Sequence, residues 1–374
     1  MLLVCQANAY VIARRDDTRG NNWSSPDSAD LIKHSRRFRW RITLAGGRFD
    51  NFTMQRPGIA LKPPERLCPL CAGNRFQVVD LIPVSDLCAE YQRQLHVDVR
   101  NEFNPGVTHL DLNECFRCGL QFFDPLTSGS ENFYSGLSAS KTYYSNSRWE
   151  FSQAFKWIGD QTQVIDVGCG DGYFLSLVPH QNKIGLEYNP SAIAKARARG
   201  FDVRPANLTG LPDGSADAIT FFQVLEHVIN PLEMLREAIR VLRIPGLLLI
   251  AVPNNDGFIG QAIQQPLNSP PHHPLRWTRS ALRYLPQLLP VALMELVDEP
   301  LAQDQLFIYR RTRMTNALAR WLGKSLPLMR LNPATVFVRK ATNALTLLSL
   351  KLHSKMPPGP VSGHSVLAVY QKMP

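Results

Sequence analysis

The sequence has 374 residues, of which 44% are hydrophobic and 19% are charged. This length favours two or three domains, and the composition excludes a mainly disordered chain, a collagen-like repeat and a fibrous coil. No run of 18 apolar residues occurs, so the sequence predicts no membrane-spanning segment. The first 15 residues have no basic stretch ahead of their apolar part. They do not resemble an export signal, so we expect a cytoplasmic protein.

The formal net charge of +10 is unevenly distributed along the chain. Residues 301–374 contain 11 lysines and arginines and a single acidic residue, Asp304. Residues 1–67 are also basic, whereas the middle of the chain is acidic. This asymmetry favours an anionic partner for the ends of the chain rather than for its centre.

The N-terminal third divides into three segments. Residues 1–66 show little periodicity and predict a weakly ordered lead, with translation starting at either Met1 or Met54. Residues 67–125 enclose two CxxC pairs, which predict a small zinc-ribbon-like module. Residues 126–160 are rich in aromatic side chains and predict a helical bridge to the next domain.

The four paired cysteines are Cys68, Cys71, Cys115 and Cys118. Each pair can present two thiolates to one ion, and four thiolates form a closed tetrahedral zinc site. Two local disulfides or reduced, unliganded thiols are the alternatives. Two CxxC pairs in a cytosolic chain favour zinc, and a closed site has a structural role rather than a catalytic one.

Strand-like and helix-like patterns alternate from residue 161 to about residue 302, and this alternation predicts an α/β domain with a mainly parallel sheet. Asn-Pro pairs at positions 189–190 and 230–231 mark the starts of two helices. The predicted strands cover residues 163–169, 183–188, 201–205, 218–224 and 246–252.

A glycine-rich turn, DVGCGDG, follows the first of these strands and opens a helix. Gly168, Gly170 and Gly172 let backbone N–H groups approach a ligand because no Cβ intervenes. The GxGxG spacing and Asp166 inside the strand separate this turn from a nicotinamide-binding fingerprint. Glu187, at the end of the second strand, can accept two hydroxyl hydrogen bonds from a ribose. The alternative is a plain turn with unrelated carboxylates.

The motifs DVGCGDG, LEYNP, LPDGSADAITFFQVLEHVINP and RVLRIPGLLLIAVPN resemble those of class I S-adenosylmethionine-dependent methyltransferases of the type 11/12 kind. The resemblance covers residues 160–255 and implies a seven-stranded Rossmann-like sheet that binds S-adenosylmethionine. It implies that the glycine turn contacts the amino acid part of this cofactor. Asp166 then supports its amino group and Glu187 binds its ribose hydroxyls.

The same resemblance implies further cofactor contacts. Tyr188 flanks the adenine, Leu208 offers its backbone N–H, and Gln223 faces the cofactor. The family usually places an acid after the third strand to hold the adenine amino group, whereas this sequence has Asn207 there. An amide oxygen can accept the same hydrogen bond, so adenine binding stays possible.

The outer segments resemble a zinc-ribbon-bearing branch of this superfamily, which is often tied to sugar or polysaccharide modification. The resemblance rests on CPLC, CFRCGLQFFDP and PPHHPLRWTRSAL. It implies that His272, His273 and Trp277 lie near the substrate mouth, although a Pro-Pro-His-His turn can also be a rigid connector.

Methyl transfer is an in-line displacement, and it needs a general base only where the nucleophile must lose a proton. His227, in the sequence LEHV, lies where family members face the substrate, and its ordinary pKa suits proton transfer. The alternative is that His227 caps or packs against the following helix.

Residues 303–360 predict a basic helical insertion before a last core strand at 361–374. Two apolar runs have helical spacing: Met314, Leu318, Trp321 and Leu322, and then Phe337, Ala341, Leu345, Leu348 and Leu352. The insertion predicts a lid packed on the core. Contact with the anionic inner face of a membrane is the alternative.

Together these features predict a methyltransferase that uses S-adenosylmethionine, carries structural zinc and modifies oxygen or carbon of a small-molecule, saccharide or lipid-linked acceptor. An RNA methyltransferase is the first alternative, suggested by the basic ends. The acidic core and the sequence FFQVLEH, in place of an NPPY-like motif, argue against nucleic acid as partner. A non-catalytic binding protein that keeps the fold is the second alternative.

Overall fold

The computed structural model describes residues 66–374 except 139–147, 160–162, 180–181, 206, 322, 324–325, 330 and 353–359. The predicted N-terminal lead therefore lies outside the described residues, apart from Arg66. In chain order the main elements are β1 (Phe76–Pro83), α1 (Val84–Leu95), β2 (His109–Cys115), β3 (Gln121–Asp124), α2 (Glu131–Ser138), α3 (Trp149–Ala154), β4 (Val164–Val167), α4 (Tyr173–Leu177), β5 (Lys183–Leu186), α5 (Pro190–Ala198), β6 (Val203–Arg204), β7 (Ala216–Phe222), α6 (Pro231–Val241), β8 (Leu242–Pro253), α7 (Phe258–Gln261), β9 (Leu275–Arg276), α8 (Arg279–Tyr284), β10 (Val291–Pro300), α9 (Leu306–Trp321), α10 (Pro333–Leu352) and β11 (Ser362–Lys372).

Seven strands form one sheet in the order β10-β11-β8-β7-β4-β5-β6. The run from β6 to β8 is parallel, whereas β11 pairs antiparallel with both β8 and β10. Sequence neighbours β4 and β5 lie side by side, and the chain then crosses over to place β7 on the other side of β4. This arrangement confirms the predicted Rossmann-like α/β class.

The parallel strands are short apolar runs because helices cover both faces of the sheet. All four residues of β4 are buried, as are six of the seven residues of β7. The predicted helix start at Asn189 is confirmed: its side chain accepts hydrogen bonds from the backbone N–H groups of Ser191 and Ala192, and Pro190 follows as the first helical residue.

A second, antiparallel sheet has the order β1-β2-β3-β9. Its last strand, β9, comes from beyond the parallel strands in sequence, so this sheet is not confined to residues 67–125. Arg117 donates to the Tyr284 hydroxyl at 2.9 Å, and the Thr278 hydroxyl donates to the Gly119 carbonyl at 2.9 Å. A Cβ at Gly119 would lie 2.7 Å from the Ser280 Cβ, so the sheet and α8 touch closely. The domain boundaries given by the sequence stay a prediction.

The helices α9 and α10 form an antiparallel hairpin that turns its threonines inward. The Thr315 hydroxyl donates to that of Thr342 at 3.3 Å, and Arg310 donates to the Ser349 carbonyl at 3.1 Å. Thr312, Thr335 and Thr346 are buried as well. The predicted helices are present, and Leu306 of α9 is buried against Phe258 of α7, so one side of the hairpin packs on the rest of the chain. The lid assigned from the sequence stays a prediction.

The apolar side chains on the outer face of the hairpin are largely exposed. Exposure reaches 81% for Trp321, 71% for Phe337 and 68% for Leu352, and it is 54% for Leu345 and Leu348. Leu322, which the sequence assigns to the same run as Trp321, lies outside the described residues. Within the described part of the chain, no helix combines the length and the apolarity needed to cross a bilayer.

Candidate functional site

A cavity of about 900 Å³ opens where the parallel strands β4, β5 and β7 end. Loops that leave the carboxyl ends of neighbouring parallel strands meet at one edge of a sheet, and ligands bind there in open α/β folds. Of the residues that the sequence assigns to a ligand, the following line this cavity: Asp166, Gly168, Gly170, Glu187, Gln223, His227, His272 and His273.

The glycine turn after β4 has a backbone that only glycine adopts easily. Gly168, Gly170 and Gly172 have φ angles of +72°, +57° and +79°, all in the left-handed region. A Cβ at Gly172 would lie 2.9 Å from the ring of Phe201. Gly172 therefore permits close packing behind the turn, while Gly168 and Gly170 line the cavity in front of it.

Glu187 fastens the glycine turn to the end of β5. Its Oε2 accepts from the Gly170 N–H at 2.9 Å, and its Oε1 accepts from the N–H groups of Tyr188 at 2.8 Å and Asn189 at 2.9 Å. A carboxylate has about four acceptor positions. Three are occupied by backbone donors, so Glu187 can accept one ribose hydroxyl as it stands and needs a small rotation to accept two.

Asp166 is buried at the floor of the cavity. Its Oδ1 accepts a hydrogen bond from the Thr220 hydroxyl at 2.7 Å. Burial raises the pKa of Asp166 to about 7, although the Thr220 hydrogen bond and the positive charge of Arg148 act in the opposite direction. A cationic ligand group beside Asp166 would favour its ionised form.

Gln223 follows β7 with a φ of +58°, which is unusual for a residue with a side chain. Its Nε2 donates to Glu150 Oε1 and to Ser365 Oγ, both at 3.2 Å. The strained backbone and the two hydrogen bonds fix the direction in which the chain leaves β7 toward His227.

Besides Gly172, four residues assigned from the sequence are absent from the cavity lining. Leu208 is buried in the main hydrophobic cluster, and the Asn207 side-chain oxygen accepts a hydrogen bond from the Thr209 hydroxyl. Tyr188 is partly buried beside the turn. The expectation that Trp277 faces substrate is wrong, since its side chain is fully buried in the main cluster.

Three histidines meet at the far end of the cavity. The ring centroids of His272 and His273 are 4.3 Å apart and nearly parallel, and the His227 ring lies 4.6 Å and 4.8 Å from them. The predicted candidate base and two predicted substrate residues thus form one group. Burial lowers the pKa of all three below the ordinary value, to about 4 for His272, so the imidazoles are neutral near pH 7.

Sequence reasoning missed two side chains beside this histidine group. Tyr134 has its hydroxyl 3.3 Å from His227 Nδ1, and burial holds its pKa above the ordinary range. Glu226 Oε1 lies 3.9 Å from His227 Nε2, and burial raises the pKa of Glu226 to about 8. Glu226 Oε2 has no hydrogen-bond partner among the described residues. Its position next to His227 in the LEH sequence was the available signal.

The four paired cysteines converge at the end of the antiparallel sheet. All are buried, the Sγ atoms of Cys68 and Cys118 lie 3.6 Å apart, and those of Cys71 and Cys115 lie 3.5 Å apart. Thiolates bound to one tetrahedral zinc ion at about 2.3 Å lie about 3.8 Å apart. The donor set and spacing fit a closed zinc site, and thiols 3.5 Å apart are not joined as disulfides.

The strand order, the glycine turn and the acidic residue that ends β5 define a Rossmann-like nucleotide-binding domain. Comparison with known proteins gives a narrower result: the family described as "Methyltransferase domain" matches residues 145–290. Residues 145–290 therefore match a methyltransferase domain, in agreement with the resemblance to S-adenosylmethionine-dependent methyltransferases stated from the sequence.

Two curated relatives share this region. A "probable S-adenosylmethionine-dependent methyltransferase" of Mycolicibacterium smegmatis is 34% identical over 141 residues, which are 36% of this chain and 52% of that protein. A Mycobacterium tuberculosis protein described in the same words is 39% identical over 101 residues, or 25% of this chain and 37% of that protein. The chain therefore spans about half the length of these relatives, or less.

Among solved structures, a SAM dependent methyltransferase from Archaeoglobus fulgidus aligns with 64% of this chain and all of its own, at 17% identity and a TM-score of 0.41.

Proposed function

We propose that the protein transfers a methyl group from S-adenosylmethionine to oxygen or carbon of a small-molecule or saccharide acceptor. The main support for the proposal is that a single cavity joins the glycine turn to the histidine group. Its lining includes the glycine turn and Glu187 at one end and the histidine group at the other. When bound, S-adenosylmethionine supplies an electrophilic methyl group on a sulfonium.

The cofactor end of the cavity orients this ligand. The left-handed turn at Gly168 and Gly170 exposes backbone to the amino acid part, and the buried Asp166 carboxylate holds the amino group. Glu187 holds the ribose. Asn207 and Leu208 serve the adenine only if the loop that carries them moves toward the cavity, and Tyr188 flanks the base from the next turn.

The acceptor end provides a candidate base in His227. Its Nδ1 donates to the His272 carbonyl at 2.7 Å, so Nε2 carries the lone pair. Burial keeps the ring neutral, which is the form that accepts a proton from a hydroxyl. His272 and His273 close this end of the cavity, and the side chains of Tyr134 and Glu226 lie beside them.

Turnover with a labelled methyl donor tests the proposal. The protein is incubated with methyl-labelled S-adenosylmethionine and a fractionated pool of metabolites and saccharide intermediates, with RNA as a separate arm. We expect label in a small-molecule fraction, and at least a tenfold loss in Asp166→Ala. Label in RNA, with binding that weakens steeply as salt rises, would favour the RNA alternative. Cofactor binding without label in either arm would favour the non-catalytic alternative.

The helical hairpin supports a second proposal, namely that it rests on the anionic cytoplasmic face of a membrane. The outer face of α10 carries Phe337, Leu345, Leu348 and Leu352, all exposed. Lys340 and Lys351 lie along the same helix and are exposed too. An apolar stripe flanked by lysines suits the boundary between acyl chains and anionic headgroups.

The hairpin does not need its apolar stripe for folding, because the buried threonines hold the helices together. The Thr315 hydroxyl of α9 donates to the Thr342 hydroxyl of α10 at 3.3 Å, and Arg310 of α9 donates to the Ser349 carbonyl of α10 at 3.1 Å. Arg339 is held by Glu90 at 3.1 Å and fixes α10 to α1. The outer face can therefore be changed without removing the contacts that position the hairpin.

Vesicle sedimentation tests this second proposal. We expect binding to phosphatidylglycerol vesicles at low salt but not to phosphatidylcholine vesicles. The double variant Phe337→Ser with Leu348→Ser should bind at least tenfold more weakly. A matched control, Val78→Ser with Leu81→Ser, removes two exposed apolar side chains from β1 and should bind as the unmodified protein does. Equal loss in both variants, or no binding at low salt, would contradict the proposal.

A further inference from the structure

Histidines 227, 272 and 273 each donate a hydrogen bond from Nδ1–H to an oxygen that is fixed in position. The acceptors are the His272 carbonyl for His227, at 2.7 Å, and the Leu267 carbonyl for His272, at 2.8 Å. For His273 the acceptor is Asn268 Oδ1 at 3.4 Å. Asn268 directs its Nδ2 to Asn255 Oδ1 and to the Ile259 carbonyl, so its oxygen is the atom that faces His273. All three imidazoles therefore carry the lone pair on Nε2.

The three rings converge on one point of the cavity wall. One nitrogen from each ring lies within 4.8 Å of one nitrogen from each of the others. Nitrogens bound to a tetrahedral zinc ion at about 2.0–2.1 Å lie about 3.4 Å apart, so the rings need to approach by roughly 1 Å. Histidines that bind a metal usually donate their second ring N–H to a carbonyl or carboxylate, which is the arrangement seen at these three residues.

We propose that His227, His272 and His273 bind a divalent transition-metal ion of the zinc type at the acceptor end of the cavity, separate from the four-cysteine site. Imidazole suits zinc and its neighbours, and a site with three protein ligands leaves positions open to an exogenous oxygen. Glu226 is the buried group next to this site: its Oε1 lies 3.9 Å from His227 Nε2, and its Oε2 has no hydrogen-bond partner among the described residues.

In the proposed methyl transfer the ion would activate the acceptor. Only this role rests on the proposed function, whereas the metal site itself does not. A hydroxyl bound to the ion loses its proton more readily, which assists attack on a methyl group. While His227 Nε2 ligates the ion it cannot also accept that proton, which then passes to solvent. The bond that forms is oxygen to carbon, and the bond that breaks is carbon to sulfur.

Metal content and cobalt spectroscopy test the site directly. The unmodified protein, dialysed against zinc and then metal-free buffer, should hold two zinc ions per chain, and His273→Ala should hold one. His364→Ala is the matched control: it removes another imidazole from the cavity wall, outside the group, and should keep two ions.

Cobalt(II) substitution separates the two sites in the intact protein and does not depend on any variant folding. Thiolate ligation gives strong near-ultraviolet charge-transfer absorption, whereas imidazole ligation gives only visible ligand-field bands. We expect both signatures, with the second lost in His273→Ala. A single ion with thiolate signature alone would overturn the proposal. Two ions without methyl transfer would leave the metal site standing and contradict the proposed function instead.

Discussion

At the scale of single residues, Glu187 both holds the glycine turn in place and is the proposed hydrogen-bond acceptor for the ribose hydroxyls. Replacing Glu187 by glutamine keeps the size of the side chain. In the unmodified protein, backbone N–H groups donate to both carboxylate oxygens, and in the variant the amide NH₂ takes the place of one of these acceptors. We expect Glu187→Gln to weaken S-adenosylmethionine binding at least tenfold in isothermal titration calorimetry. Glu233→Gln, an exposed position on α6, should bind as the unmodified protein does. Equal affinities in all three proteins would refute the assigned role.

Asp166 makes the stability of the protein depend on pH. Its pKa is about 7 in the folded protein, against an ordinary value of 3.8, so the folded state binds more protons than the unfolded state between these values. The contribution of Asp166 to stability is therefore complete below about pH 4 and is lost as pH rises to about 7. Asp166→Asn removes this titration and can still accept from Thr220.

The prediction is that Asp166→Asn gains stability relative to the unmodified protein between pH 5 and pH 7, by up to about 1.4 kcal/mol per pH unit. Urea unfolding of both proteins at pH 5, 6 and 7, without cofactor, measures the difference. Histidine titrations are common to both proteins and cancel. A difference that stays constant with pH would show that Asp166 keeps an ordinary pKa.

Individual residues differ in how far the sequence could place them. Asp166 lies in the last half of β4, Glu187 directly follows β5, and His227 lies in the loop after β7, so strand order brings all three to one edge and around one cavity. Trp277 was misplaced because a large aromatic beside two histidines gives no signal of which way it points. The approach of His227 to His272 joins two loops 45 residues apart, which no local pattern encodes.

At the scale of single elements, the glycine turn before α4 makes a sharp prediction. Gly172 and Gly214 both have positive φ angles, but only Gly172 would place a Cβ against another side chain, whereas nothing lies within 4 Å of Gly214. Gly214→Ala should cost about 1–2 kcal/mol from backbone strain. Gly172→Ala should cost about 1–3 kcal/mol more because of the collision with Phe201. Chemical denaturation measures both, and equal costs would contradict the packing assigned to Gly172.

The core strands were predictable because each is a short apolar run flanked by turn residues, with helices starting after Asn189 and Asn230 between them, although only Asn189 caps its helix through its side chain. The packing of the hairpin was not predictable, because periodicity identifies an apolar face of a helix but does not show what that face contacts. In α10 the spacing of Phe337, Leu345 and Leu348 predicts an inward face. The structure instead buries the threonines on the opposite face, where they donate to carbonyls and to one another.

At the scale of the whole molecule, the four-cysteine site and the parallel sheet share one hydrophobic cluster. Cys68 and Cys115 belong to the same buried group as Leu275, Leu282 and Tyr370. Loss of zinc should therefore destabilise the methyltransferase domain as well as the small sheet. We expect a chelator under reducing conditions to lower the thermal midpoint by several degrees in one cooperative transition, and added zinc to restore it. Zinc release with an unchanged midpoint would contradict this coupling.

The family match begins at residue 145, yet the segment that bears His272 and His273 is held from positions well before that point. The Gly129 N–H donates to the Pro271 carbonyl at 2.8 Å, and the Phe123 N–H donates to the Pro274 carbonyl at 3.1 Å. A protein trimmed to residues 145–290 would lose both of these backbone contacts. The recognisable family region is therefore shorter than the part of the chain that fixes the histidine segment, whose backbone partners begin upstream at Phe123 and Gly129.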